Sequence, residues 1–297
     1  MTRRSAKAYD LCVKEETDHR QDAQRPAPSD SAAERPPAGD ISTVGGPVHR
    51  ACPVPQGWPL MPRITSTSPD TGNNRVVKLA PESGPQQVVG FSGLNSPFGV
   101  AVDLAGNIYA VDDGQRVVQF LVGRNIRNVL PFAGLSSIGG IAVDSAGNVY
   151  VVDTGNNQVL MLPAGSSTQQ VLGFSDLHYP GDVAVDSDGN VYVSEIWTYR
   201  VRVLDAGSGH QHELSFDHDL YHIHVFAVAV DRAANVYVTD NFQGQGYWVA
   251  ELAAGSRAPR LLPFTDLDGP NGVAVDAAGT VYVTDYGHSR LAKLTSR

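Results

Sequence analysis

The sequence predicts an all-β fold: a six-bladed β-propeller with five full blades, a partial first blade and a disordered N-terminal segment. Three observations carry this. A unit of 41 to 45 residues recurs along the chain, a period that belongs to propeller blades or repeat arrays. The apolar runs inside the unit are rich in Val, Ile, Tyr and Thr and alternate with a period close to two, as strands do. Gly or Pro punctuates the chain too often for helices of ordinary length.

The unit can be read element by element. Its first strand, a, is an apolar run of the GVAVD type, and the Asp that closes it falls at 103, 144, 186, 231 and 276. A D-x-x-G-N turn follows: the Asp accepts backbone N–H groups and Gly-Asn supplies positive φ, as at Gly147-Asn148. Strand b is VYV-T/V-D, β-branched and aromatic. A loop such as Thr154-Gly155-Asn156-Asn157 leads to strand c, of the Arg75–Leu79 type. A turn around Ala164-Gly165-Ser166 leads to strand d, as in Gln170–Phe174. Four such strands make one twisted sheet with two apolar faces. Radial packing of several sheets buries those faces against one another.

Strand c can be counted six times, around Arg75, Val117, Val159, Val201, Val249 and Leu291, but strand a only five times. The first blade has strands c and d and no recognisable a or b ahead of Asp70. Reading codons 56–69 in a shifted frame permits the wording G-V-A-V-D-A-A-(D/N)-N-V-Y-V-T, which is the missing pair of strands. The expected division is therefore 1–47 disordered and unrelated to the repeat, 48–69 a degenerate, frameshifted start of blade 1, and 70–297 the propeller. Residues 24–40, QRPAPSDSAAERPPAGD, have the composition of a disordered linker, which is the alternative account of the upstream segment. The ring is expected to close weakly between blades 6 and 1.

Charge narrows the partners. Residues 70–297 carry 13 Lys+Arg and 23 Asp+Glu, a net of −10, against +1 for residues 1–69. So acidic a domain repels phosphate backbones, and nucleic acid is not an expected partner. No apolar run reaches the 18 residues of a membrane span, so no membrane insertion is expected. The basic N-terminus has no apolar stretch behind it and does not read as a secretory signal. Both cysteines, Cys12 and Cys52, precede the repeats, which excludes thiolate metal sites within them.

The pattern P-x-G-V-A-V-D-x-A-G-N-V-Y-V-T-D-x-G-N-N-R-V-V-K-L resembles NHL repeats. With the A-G-S turn and the L-P-F of Leu130-Pro131-Phe132 and Leu262-Pro263-Phe264, it is most similar to the extracytoplasmic sensor domain of mycobacterial receptor Ser/Thr kinases of the PknD type. The resemblance covers about residues 70–297. It implies a six-bladed, non-catalytic propeller that binds an extracellular or protein ligand, needs no cofactor and works outside the membrane. No signal or anchor is read in the chain as written, for which a cytoplasmic location is the expectation. Kinase motifs (the Gly-rich loop with its Lys, H-R-D and D-F-G) are absent.

Candidate site residues are those that break the repeat. The strand-b acids Asp70, Asp112, Asp153, Glu195, Asp240 and Asp285 do repeat, and most face a basic residue of strand c (Arg75, Arg116, Arg200 or Arg290), with Gln158 in that position in blade 3. They read as turn caps and ion pairs rather than as a cation-binding ring. Histidines cluster between Gly209 and Val225, where Phe216 to Asp231 is three residues longer than its counterparts. His218, His222 and His224 are thereby expected near the channel face. His222-x-His224 on an extended segment would point both rings one way, a candidate metal pair; a variable polar loop is the alternative. Trp197, Tyr199, Phe242, Tyr247 and Trp248 replace small loop residues and suit a protein or glycan contact; packing within the lengthened loop of blade 5 is the alternative. Two other functions remain open: a propeller enzyme of the lyase or lactonase type with a channel-face metal, and a truncated, non-functional remnant of a split receptor kinase.

Overall fold

Each full repeat folds into an antiparallel sheet, and six sheets stand around a channel. The computed structural model describes residues 42–43, 66–79, 86–196, 198–218, 221–241 and 246–295, all within one compact unit, Gly39–Arg297. Apart from Ser42–Thr43, residues 1–65 lie outside this description. Blade 1 comprises β1 (Ser42–Thr43), β2 (Ser66–Asp70), β3 (Arg75–Leu79) and β4 (Gln87–Val88). Blade 2 comprises β5 (Val100–Val102), β6 (Ile108–Asp112), β7 (Arg116–Leu121) and β8 (Ile126–Val129). Blade 3 comprises β9 (Ile138–Val143), β10 (Val149–Asp153), β11 (Gln158–Leu162) and β12 (Gln170–Val171). Blade 4 comprises β13 (Pro180–Val185), β14 (Val191–Glu195), β15 (Arg200–Leu204) and β16 (Gln211–Ser215). A small hairpin, β17 (Asp217–His218) and β18 (Tyr221–His222), precedes blade 5. Blade 5 comprises β19 (Val225–Val230), β20 (Val236–Asp240), β21 (Trp248–Leu252) and β22 (Arg260–Leu261). Blade 6, among the described residues, comprises β23 (Pro270–Val275), β24 (Val281–Asp285) and β25 (Arg290–Leu294).

Blade 1 contains a strand b that its wording does not announce. Ser66–Asp70 is a regular strand b, paired antiparallel with β3 from Ser66↔Leu79 to Asp70↔Arg75. Its hairpin explains this. Thr71–Asn73 forms a 3-10 turn closed by Asn74 at φ 53°, as Thr154–Asn156 is closed by Asn157 at φ 51°. Turn chemistry and register therefore place a strand here although its wording departs from the repeat. The innermost position goes to β1, which runs parallel to β2 and touches both β5 and β23.

The D-x-x-G-N turn is the recurrent staple of the opposite ends of strands a and b. Asp144 Oδ1 accepts the N–H groups of Ala146 (2.9 Å) and Asn148 (2.9 Å); its Oδ2 accepts from the Asn148 amide (2.7 Å) and the Tyr150 hydroxyl (3.0 Å). Asp103, Asp186 and Asp231 repeat all four bonds. Burial, reinforced by the neighbouring carboxylate, drives the phenols of Tyr150, Tyr192 and Tyr237 well above their ordinary range; burial likewise pushes Tyr109 up to about 12. These tyrosines are permanent donors.

Apolar clusters fill the gaps between neighbouring sheets. One lies between blades 4 and 5 around Phe216, Ile223, Val203 and Val238. Others join blades 1 to 2, 2 to 3, 3 to 4 and 5 to 6. On the remaining face of blade 6, Ala274, Tyr282 and Leu291 form a small cluster by themselves among the described residues.

Candidate functional site

The six strand-b acids are buried, at 0 to 1% exposure. Arg75 Nε donates to Asp70 (2.7 Å), Arg116 Nε to Asp112 (2.8 Å), Arg200 Nε to Glu195 (2.5 Å) and Arg290 Nε to Asp285 (2.7 Å). Gln158 Nε2 takes the same place on Asp153 at 3.0 Å. In blades 2 to 6 the acid also accepts a main-chain N–H from the loop entering strand a: Asn95, Ser136, His178, His224 or Asp268. Each carboxylate thus pins the loop before strand a to the loop after strand b. For Asp153, burial pushes the carboxyl up, but the N–H groups of Ser136 and Ser137 and the amides of Asn156 and Gln158 outweigh it and hold it below the usual range. These acids are structural, as the spacing implied.

The loops so fixed surround the mouth of the channel. Its wall is strand a of blades 2 to 6, which enclose a cavity of about 440 Å³, within the range of small-molecule sites. The wall is apolar apart from Asn271 and Asp182. Asp182 stands where the other full blades have Gly99, Gly140, Ala227 and Gly272. Its carboxylate accepts the N–H of Val183 (2.9 Å) and, from the next blade, that of Val228 (3.1 Å). It lies over Gly140, where a Cβ would collide with Oδ1. Ser194 completes the arrangement: its Oγ accepts the Asp182 N–H (2.8 Å) and donates to the Phe226 carbonyl (2.9 Å). Burial raises the Asp182 carboxyl to about 6, against the pull of the two N–H groups. It is the one ionisable side chain among the described residues of the wall. Sequence reasoning missed Asp182. The signal was there, an acid at a position that is otherwise Gly or Ala, but it is weaker than the runs of histidines and aromatics in the loops.

The structure distributes the sequence-predicted site residues unevenly. The ring of Tyr199, half-buried, meets that of His224 edge-on, with centroids 4.9 Å apart. His218 and His222 lie on the two strands of the hairpin, where Asp217 pairs with His222 and His218 with Tyr221; their rings lie outside the described side chains. His224 is beyond the end of β18 and its N–H is held by Asp240. Trp248 opens β21 and its indole covers Gly246, whose φ of 105° and lack of a Cβ permit the contact. Tyr247 beside it is half-buried. Trp197 and Phe242 lie outside the described residues. His288 Nδ1 bonds Asp285 at 3.0 Å and belongs to the carboxylate pin of blade 6.

Residues 135–160 and 267–294 match the family model described as NHL repeat. No curated protein matches the sequence. Among solved structures the chain is similar to a streptogramin B lyase, at 14% identity and a TM-score of 0.58 over 75% of this chain and 73% of that one. It is also similar to the selenomethionine-substituted virginiamycin B lyase from Staphylococcus aureus, at 12% identity and a TM-score of 0.57 over 75% and 74%. A catalytically inactive form of that lyase with quinupristin gives 11% and 0.56 over 75% of each chain. At these identities the likeness is one of fold. No helix among the described residues is long and apolar enough to cross a membrane.

Proposed function

We propose that this chain is a non-catalytic ligand-binding propeller, comparable to a receptor-kinase sensor domain, and that its channel receives a small molecule with a cationic head and an apolar body. The observation that carries this is the carboxyl of Asp182 in an otherwise apolar wall. A carboxylate removed from bulk water is costly unless something charged meets it. Main-chain N–H groups of Val183 and Val228 meet it in part, and no cationic side chain among the described lining residues does. An ammonium or amidinium group in the channel would complete the site. The surrounding Val and Ala side chains would take the apolar body. Asp182 stands without a second ionisable group among those lining residues, whereas acid–base chemistry of the lyase kind calls for a matched acid and base.

The test is a thermal-shift and calorimetric panel of primary and quaternary amines bearing apolar substituents, with matched neutral compounds, run on the full chain and on Asp182→Asn. The expected result is that amines stabilise the protein, more at pH 8 than at pH 5, and that Asp182→Asn abolishes the effect. Equal stabilisation of the variant, or binding of the neutral compounds alone, would refute the reading. Turnover of a bound compound would move the chain to the enzymes.

A further inference from the structure

We infer that blade 4 carries a divalent transition-metal site on the face opposite the channel mouth, built from Asp205, His210 and His212. Asp205 follows β15, and His210 and His212 flank Gln211 at the start of β16. The i, i+2 spacing on an extended segment sends both rings to one side of the sheet. His210 Nδ1 lies 3.8 Å from Asp205 Oδ2, and His212 Nδ1 lies 3.5 Å from Asp205 Oδ1. The rings are 6.1 Å apart and nearly parallel, and one ligand atom from each of the three residues falls within 4.8 Å of the others. Ligands at the ~2.0–2.2 Å of a tetrahedral zinc site stand roughly 3.4 Å apart, so small rotations of two exposed rings suffice to close the set. Three protein ligands leave a fourth position to water or to an external group.

The backbone beneath is fixed. Val203 pairs with His212 and Leu204 with Gln211. The Asp205 N–H donates to the His210 carbonyl (3.0 Å), the Gly209 N–H to the Asp205 carbonyl (2.8 Å) and the Ala206 N–H to Asn190 Oδ1 (3.0 Å). Among the described residues the trio is particular to this blade. Corresponding turns read Pro163-Ala164-Gly165-Ser166 in blade 3 and Ala253-Ala254-Gly255-Ser256 in blade 5, without a ligand. The adjoining turn is unusual in the same sense: Asp188 stands where the other four have Ala105, Ala146, Ala233 and Ala278. Asp188 and Asp205 both act on the phenol of Tyr192, so the local field favours a cation. Two imidazoles and one carboxylate suit zinc, nickel or copper(II) rather than calcium or magnesium, which take all-oxygen sets.

The experiment is calorimetric titration of the metal-free full chain with Zn²⁺, with Mg²⁺ as control, on the parent and on Asp205→Asn, His212→Ala and His222→Ala. Imidazole resonances are followed by NMR in parallel. The expected result is one equivalent of Zn²⁺, broadening or shift of two imidazoles, and affinity weakened by more than about 10-fold in Asp205→Asn and His212→Ala, with His222→Ala unchanged. Neither blade 4 side chain is buried, and unaltered melting of the metal-free variants establishes that they fold. Retention of binding in both blade 4 variants, its loss in His222→Ala, or no stoichiometric Zn²⁺ at all would overturn the inference.

Discussion

Replacing Asp182 by Asn removes one ionisable group from the channel wall and keeps its shape. The carboxyl rises from 3.8 to about 6 on folding, and a tenfold change in proton affinity corresponds to about 1.4 kcal/mol. A raised folded pKa means that the native state holds the proton more tightly than the unfolded chain. Its contribution to stability is therefore complete below pH 3.8 and is lost as pH rises through 6, ~3 kcal/mol in all. Nearly half of that, ~1.4 kcal/mol, is lost between pH 5 and pH 8. Asn cannot titrate, so its stability relative to the parent should improve by this amount over the same interval. The absolute gain at pH 8 is smaller than ~3 kcal/mol, because the Asn carboxamide can accept from only one of the Val183 and Val228 N–H groups through its oxygen. Urea unfolding of both proteins at the two pH values measures the difference, with all other titrating groups cancelling. A variant-minus-parent difference that does not change with pH, or changes in the other direction, would refute the account of Asp182 as a carboxyl held away from water.

Asp153 should behave in the opposite sense. Its folded pKa is lowered, so its stabilisation is present above pH 3.8 and is lost as pH falls through the folded value. Asp153→Asn is expected to cost about 1.5–3 kcal/mol at pH 7 and progressively less in acid, as read by denaturant unfolding. Gly139→Ala would drive a Cβ into the Gly181 carbonyl oxygen of the next blade; a loss of at least about 2–3 kcal/mol is expected, visible as a lowered melting temperature. Phe216, fully buried between blades 4 and 5, anchors one end of the β17–β18 hairpin. Its change to Ala should cost about 3–5 kcal/mol, and hydrogen exchange should show faster opening of residues 216–225.

Much of this architecture is visible in the sequence because its devices are local. The Asp of each D-x-x-G-N turn binds groups two, four and six residues ahead, so spacing alone reveals it. The pairing of Arg75 with Asp70 and of Arg290 with Asp285 follows from the hairpin register. What spacing does not reveal is pairing without a local signal. The parallel addition of Ser42–Thr43 to β2 spans more than twenty residues. Ser66–Asp70 is recognisable as a strand only through its partner β3. Asp182 shows its meaning only when Gly140 and Val228, from the two neighbouring blades, are brought beside it. The Asp205, His210 and His212 trio lies within reach of the sequence, since the turn after strand c places them together. Its spacing is less conspicuous than the denser run of histidines beyond Phe216.

The carboxylate pins have a consequence for how such a protein could be altered. In blades 2 to 6 the loop before strand a is held by a main-chain N–H donated to a buried acid. None of those five bonds uses the side chain at that position, whether Asn95, Ser136, His178, His224 or Asp268. The path of the loop is therefore largely decoupled from its chemical lettering. A library that randomises the four exposed positions, Asn95, Ser136, His178 and Asp268, while sparing the acids should yield mostly folded proteins with new surfaces. In that sense the rim of the channel is a display frame, and lineages of this fold could exchange one recognition specificity for another without rebuilding the ring.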